Sequence, residues 1–205
     1  QRRGGNRYTA LDVTDSLNPK FLWEINPTSR IYGTTTYTTT DYKELGQTWS
    51  TPQIGKIKNG SGEKWVAFIG GGYDTNQDNI PVLNPDTKGR GVYVVDILSG
   101  RLIWKYTKDE DSSRMVYSIP SDIAKLDTDG DGKIDRLYVG DMGGRIWRFD
   151  IGDANNTAAW TGNIIFNAQG KIFYPPDVTL ENDAGNYEVL FFGTGDRENP
   201  KGELA

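Results

Sequence analysis

"GVYVVDILSGRLIWKY", residues 91–106, reads as two β-strands and the turn between them. The first run is rich in Val and Tyr and ends at Asp96. A turn of about four residues follows, and the second run carries Trp104. The same phrase occurs twice more, as "NRYTALDVTDSLNPKFLWEI" (residues 6–25) and "GRIWRFDIGDANNTAAW" (residues 144–160). Its Asp positions are Asp12, Asp96 and Asp150, expected to cap hairpin turns. Its Trp positions are Trp23, Trp104 and Trp160, expected to pack between neighbouring sheets rather than to stack a ligand.

Two further phrases recur upstream. "WSTPQIGKI" (49–57), "SIPSDIAKL" (118–126) and "YPPDVTL" (174–180) place Pro at a strand start, where its missing N–H does least harm. "KWVAFIGGG", "DRLYVGD" and "EVLFFGTGD" follow as strands that end in glycine bends. The repeating order of a Pro-strand, a Gly-strand, an Asp-strand and a Trp-strand predicts an all-β chain of β-propeller blades, each of four antiparallel strands. On this reading residues 1–205 form one partial propeller domain: a half blade at 1–33, blades at 49–106 and 115–165, and a half blade at 172–205. Such a chain is expected to be a piece of a larger propeller, with strand edges that other material must cover. The rival architecture is an open β-sandwich. Residues 26–47, rich in Thr, and residues 73–90, polar with Pro, read as long exposed loops.

Composition narrows the function classes. The chain has no Cys and no His, which removes disulfides, thiolate sites, the Ser-His-Asp triad and nearly all zinc chemistry. Its net charge of −5 shows no basic stripe for nucleic acid. No apolar run is long enough for a membrane span. The glycine runs lack the Gly-Lys-Ser/Thr of a P-loop.

"DTDGDGKID", residues 127–135, is the one stretch with chemistry in it. Each pair of carboxylates about 5 Å apart repels by about 0.8 kcal/mol even in bulk water. Asp127, Asp129 and Asp131 followed by Gly132 match the opening of an EF-hand loop. Lys133 can offer only its backbone carbonyl. Asp135 stands at position 9, and Tyr138 replaces the closing Glu at position 12. No helices flank the loop. The residues predict a compact Ca²⁺ loop on a β-scaffold, against the plainer reading of a solvated acidic turn; Mg²⁺ suits such a cage less well. "DTNQDN" (residues 74–79) has a similar start without the Gly, and reads as an Asn/Asp-rich loop before it reads as a second ion site.

Taken together, "ALDVTD", "LGQTWSTPQIGKI", "YVVDILSGRLIWKY", "YSIPSDIAKLDTDGDGKIDRLYVGDMGGRIWRFD" and "LFFGTGDRENP" resemble the C-terminal propeller of the PilY/PilC family of type IV pilus tip-associated adhesins and biogenesis factors. The resemblance implies a modified propeller with a nine-residue calcium loop, held by the side chains of Asp127, Asp129, Asp131 and Asp135 and the carbonyl of Lys133. It implies no enzyme activity. It also implies an extracellular place at the pilus tip, minor pilins and a host or abiotic surface as partners, and a part in pilus assembly and twitching. No Arg-Gly-Asp motif supports integrin-type attachment. The alternatives are a quinoprotein-type dehydrogenase propeller, which Asp96, Gly100 and Trp104 resemble in spacing, and a purely structural calcium-stabilised scaffold.

Overall fold

The structure is a computed structural model that describes residues 4–79, 84–181, 185, 187–197 and 199. Parts of the expected loop at 73–90 and of the expected half blade at 172–205 lie outside the described residues. Among the described residues fourteen strands form four antiparallel sheets. Sheet I holds β1 (Tyr8–Asp12), β2 (Lys20–Asn26), β3 (Ser29–Tyr32) and β4 (Thr35–Thr38). Sheet II holds β5 (Gln53–Asn59), β6 (Gly62–Gly70), β7 (Gly91–Asp96) and β8 (Leu102–Thr107). Sheet III holds β9 (Ala124–Leu126), β10 (Arg136–Gly140), β11 (Arg145–Asp150) and β12 (Thr161–Asn167). Sheet IV is the pair β13 (Asp177–Glu181) and β14 (Tyr187–Phe191). In each sheet the strands neighbour one another in chain order, the meander of a propeller blade.

The repeated hairpins agree residue by residue. Trp23 pairs with Ala10 and Trp104 with Val94, and in both ladders a bulge follows at the next residue, toward the Asp. In sheet III the bulge lies earlier, between Ile146 and Trp147. Trp160 stands just before β12 rather than in it, and receives Trp104 at a centroid distance of 5.4 Å. Asp12 and Asp96 cap their turns as expected: Asp12 accepts the Thr14 amide, and Asp96 those of Leu98 and Ser99. Asp150 does not. Its carboxylate is taken by Arg136 and Arg148, and Asp153 bonds the Asn155 amide in its place.

Sheet II is covered on both faces. Along β6 and β7 successive side chains point to opposite sides. Val66, Phe68, Val92 and Val94 enter a core shared with sheet III. Ala67, Ile69, Tyr93 and Val95 enter a second core shared with sheet I. Trp23 is the key of that second core. Its indole N–H donates to the Ile97 carbonyl at 2.7 Å, and its ring lies over Gly100. Tyr42 donates to the Gly100 carbonyl and Arg30 to that of Ser99, so one turn of sheet II receives three side chains from the sheet I region.

Both expected loops are corrected. Residues 26–47 contain the hairpin β3–β4, so sheet I has four strands where a half blade with a loop was expected. Thr is β-branched and fits a strand as well as a polar loop. Gly33, at φ 56°, makes the two-residue turn with Thr34. Residues 73–90 are not simply exposed. A 3-10 turn covers Thr75–Asp78, and Asp74, Gln77 and Asp86 are buried.

Gly100 has φ 64°, and a Cβ there would lie 2.7 Å from the Trp23 ring. Gly100→Ala should therefore lower unfolding free energy by about 2–5 kcal/mol, combining left-handed strain with overpacking. Gly130→Ala, also at positive φ but in open space, should lower it by about 1–2 kcal/mol. Equal urea midpoints for the two variants would remove the Trp23 seat from the account.

Candidate metal centre

The acidic loop joins β9 to β10, neighbours in sheet III, with Leu126 facing Arg136 at its base. The Asp135 amide donates to the Leu126 carbonyl, and the Ile134 amide to the carbonyl of Lys56 on sheet II. The Ile134 side chain packs against the core between those sheets. Gly130 and Gly132 take φ 77° and 83°, and a Cβ at either would meet nothing within 4 Å. Conformation, not crowding, requires glycine at these two positions.

Within this frame Asp127, Asp129 and Asp135 come together. One oxygen from each lies within 4.8 Å of the others. Asp127 accepts the amides of Gly130 and Gly132, both at 2.7 Å. Asp129 accepts the Asp131 amide at 3.1 Å. Asp135 accepts the Thr128 amide and hydroxyl. Asp131 is the exception among the four expected carboxylates. It accepts the Lys133 amide and pairs with the Lys133 ammonium at 2.8 Å. That hydrogen bond holds the Asp131 carboxyl below the ordinary range. Thr128 and Ile134 carry the loop's second layer of support, and no motif marks them. Only the apolar Ile134 inside an acidic run hints at an anchor.

The donor set is all oxygen, hard and anionic, and so fits Ca²⁺ or a like cation and no soft metal. Among the described residues this is the sole group of three or more acidic side chains close enough to hold an ion. The stretch at 74–79 is built otherwise. Asp74 accepts the amides of Asn76, Thr87 and Lys88 and the Thr87 hydroxyl, and so ties the two ends of its loop. Burial alone would raise its carboxyl; these bonds outweigh that and hold it below the ordinary value.

A family model for the PilY1 β-propeller domain matches residues 1–178. The chain belongs to this family. It is 30% identical over 191 residues to the type IV pilus biogenesis factor PilY1 of Pseudomonas aeruginosa (strain UCBPP-PA14), covering 93% of this chain and 13% of that protein. It is 31% identical over 159 residues to a PilY1 homolog of Xylella fastidiosa, covering 72% of this chain and 9% of the relative. The chain thus spans about a tenth of the length of these curated relatives. The crystal structure of the P. aeruginosa PilY1 C-terminal domain shares the fold at a TM-score of 0.68 and 22% identity, over 94% of this chain and 38% of that one. The resemblance drawn from the motifs and the β-propeller class are both borne out.

The Asp74 staple makes a pH prediction. A carboxyl whose folded pKa is depressed stabilises the fold above its unfolded value, and the contribution is lost as pH falls through the folded value. Asp74→Asn should lower stability at pH 7 and flatten the stability profile below the ordinary Asp value of 3.8. Urea titrations of both proteins from neutral pH to pH 2 check this; parallel profiles would contradict it.

Proposed function

We propose that the chain is the calcium-binding propeller segment of a type IV pilus biogenesis factor. It acts without catalysis at the bacterial surface, at the pilus tip, where it supports pilus assembly, twitching and attachment. Its partners are minor pilins and the surface to be bound. The observation that carries the calcium assignment is the convergence of Asp127, Asp129 and Asp135 within 4.8 Å on a loop anchored at both ends. The names of the relatives, all type IV pilus biogenesis factors, support the pilus context.

In this reading Asp127, Asp129 and Asp135 hold the ion directly, and the Lys133 carbonyl adds a neutral ligand. Asp131 completes the set by exchanging the Lys133 ammonium for the cation. Bound calcium offsets the mutual repulsion of the carboxylates. At about 100-fold excess over Kd it stabilises the fold by about 2.7 kcal/mol, enough to shift a loop between ordered and loosened populations. Affinities of loops built this way run from micromolar to millimolar.

Calorimetry tests the site. Wild type should bind one calcium ion, and Asp129→Ala should lose the heat of binding. Lys133→Ala keeps the carbonyl and frees Asp131, so it should bind as tightly as wild type or up to about fivefold tighter, the scale of an exposed ion pair. Equal heats for wild type and Asp129→Ala would refute the assignment. In a bacterium with retractable pili, Asp129→Ala in the full-length protein should reduce surface piliation or twitching while the protein is still exported. Unchanged pili together with lost calcium binding would separate the ion from the pilus function.

A further inference from the structure

The hairpin β3–β4 lies beyond the Trp-strand of sheet I, a position that sheets II and III leave empty. Its outer strand, β4, is a sheet edge whose four residues are all exposed. Natural edges are usually blunted by charge, Pro or a bulge. This one has none of these: residues 31–40 carry no charge and no Pro, and the β3–β4 ladder is regular.

The phase of the edge can be read from the ladder. Tyr32 faces Thr35 across the two-residue turn, and Arg30 faces Tyr37. The Thr39 amide donates to the Thr28 carbonyl at 3.1 Å, which marks that pair as hydrogen-bonded. Hydrogen-bonded pairs alternate along an antiparallel ladder. Thr35, Tyr37 and Thr39 therefore turn their amides and carbonyls toward β3. Thr36 and Thr38 turn theirs to the open edge.

The sequence at that edge is a palindrome. Residues 34–40 read Thr-Thr-Thr-Tyr-Thr-Thr-Thr, centred on Tyr37. We propose that β4 pairs antiparallel with β4 of a second copy of this chain, about a two-fold axis at Tyr37. An isologous interface needs a self-complementary surface, and a palindromic antiparallel strand is one. In this register Thr36 faces Thr38 of the copy, and both are the residues with free amides and carbonyls. Tyr37 faces its own copy in the intervening non-hydrogen-bonded pair, where side chains approach closest. The cross-strand partners are then Thr–Thr and Tyr–Tyr, both favourable, with no like charges opposed within the strand. Tyr37 is already held in place: the Arg30 guanidinium lies 4.3 Å from its ring centroid and is itself fixed by the Ser99 carbonyl. A contact of this size falls below that of stable complexes, so the dimer is weak and concentration-dependent.

The chain lacks Cys, so a single engineered thiol reports the pairing. Facing Cα atoms in a non-hydrogen-bonded pair lie about 4.5 Å apart, within disulfide reach. Tyr37→Cys should form a disulfide-linked dimer under mild oxidation at least about tenfold faster than Ser16→Cys on an exposed turn, because pairing raises the local thiol concentration. Sedimentation of wild type should show a dimer fraction that grows with concentration. Thr36→Pro removes an outward amide that β3 does not use; it should remain folded by circular dichroism, stay monomeric, and cancel the cross-linking advantage of Tyr37→Cys. Three results would each overturn the proposal: a monomeric wild type at all concentrations, equal cross-linking of the two cysteine variants, or a folded Thr36→Pro that associates like wild type. The first of these would leave the edge to a strand from a different protein.

Discussion

Sheet II has no solvent face through its middle, and the other sheets are arranged around that constraint. Because β6 and β7 send alternate side chains to opposite sides, their continuous apolar runs can be buried only if a second sheet lies on each face. Sheet III supplies one cover and sheet I the other. The cover from sheet I is keyed by a polar contact, the Trp23 indole N–H on the Ile97 carbonyl, seated over a glycine that cannot carry a side chain. Apolar burial is non-directional and would tolerate sliding of one sheet on the next. The indole bond and the Gly100 seat fix the register between sheets, and Tyr42 and Arg30 add two more bonds to the same turn.

The blade pattern was legible because its signals are local. A strand ending in Asp, a short turn and a strand with Trp can each be read within about twenty residues, and the order recurs. The hairpin β3–β4 was not legible, because Thr suits both a strand and a polar loop and only the pairing with β2 decides between them. Asp150 misled for a related reason: the residue type recurs in sheet III, but two arginines, Arg136 and Arg148, take its carboxylate. Long-range partners of that kind leave no trace in a local pattern. Trp160 packs between sheets as its type suggests, and only its place, one residue short of β12, differs from that of Trp23 and Trp104.

At the acidic loop the spacing of Asp127, Asp129 and Asp135 was enough to foresee their convergence, since glycine at positions 130 and 132 allows the chain to curl around them. The pairing of Asp131 with Lys133 was not. Asp131 is exposed and Lys133 half-buried, and a side chain two residues away can be a neighbour or not, depending on rotamers that sequence does not specify. Thr128 was missed because its role, holding Asp135 by amide and hydroxyl, depends on the loop closing first.

The anchoring of the loop bears directly on its chemistry. A free acidic peptide would relieve repulsion by spreading its carboxylates into solvent. Here the ends are set by the β9–β10 ladder, and Ile134 is fixed to sheet II by its amide and by its side chain in the core. The carboxylates are thus kept near one another, and donors in the loop itself answer their charge: the Gly130 and Gly132 amides for Asp127, the Asp131 amide for Asp129, Thr128 for Asp135, and Lys133 for Asp131. The same anchors place the loop at the junction of sheets II and III. Whatever rearranges residues 131–133 acts on a segment whose next residue, Ile134, bonds to sheet II through its amide and packs against the core between the sheets.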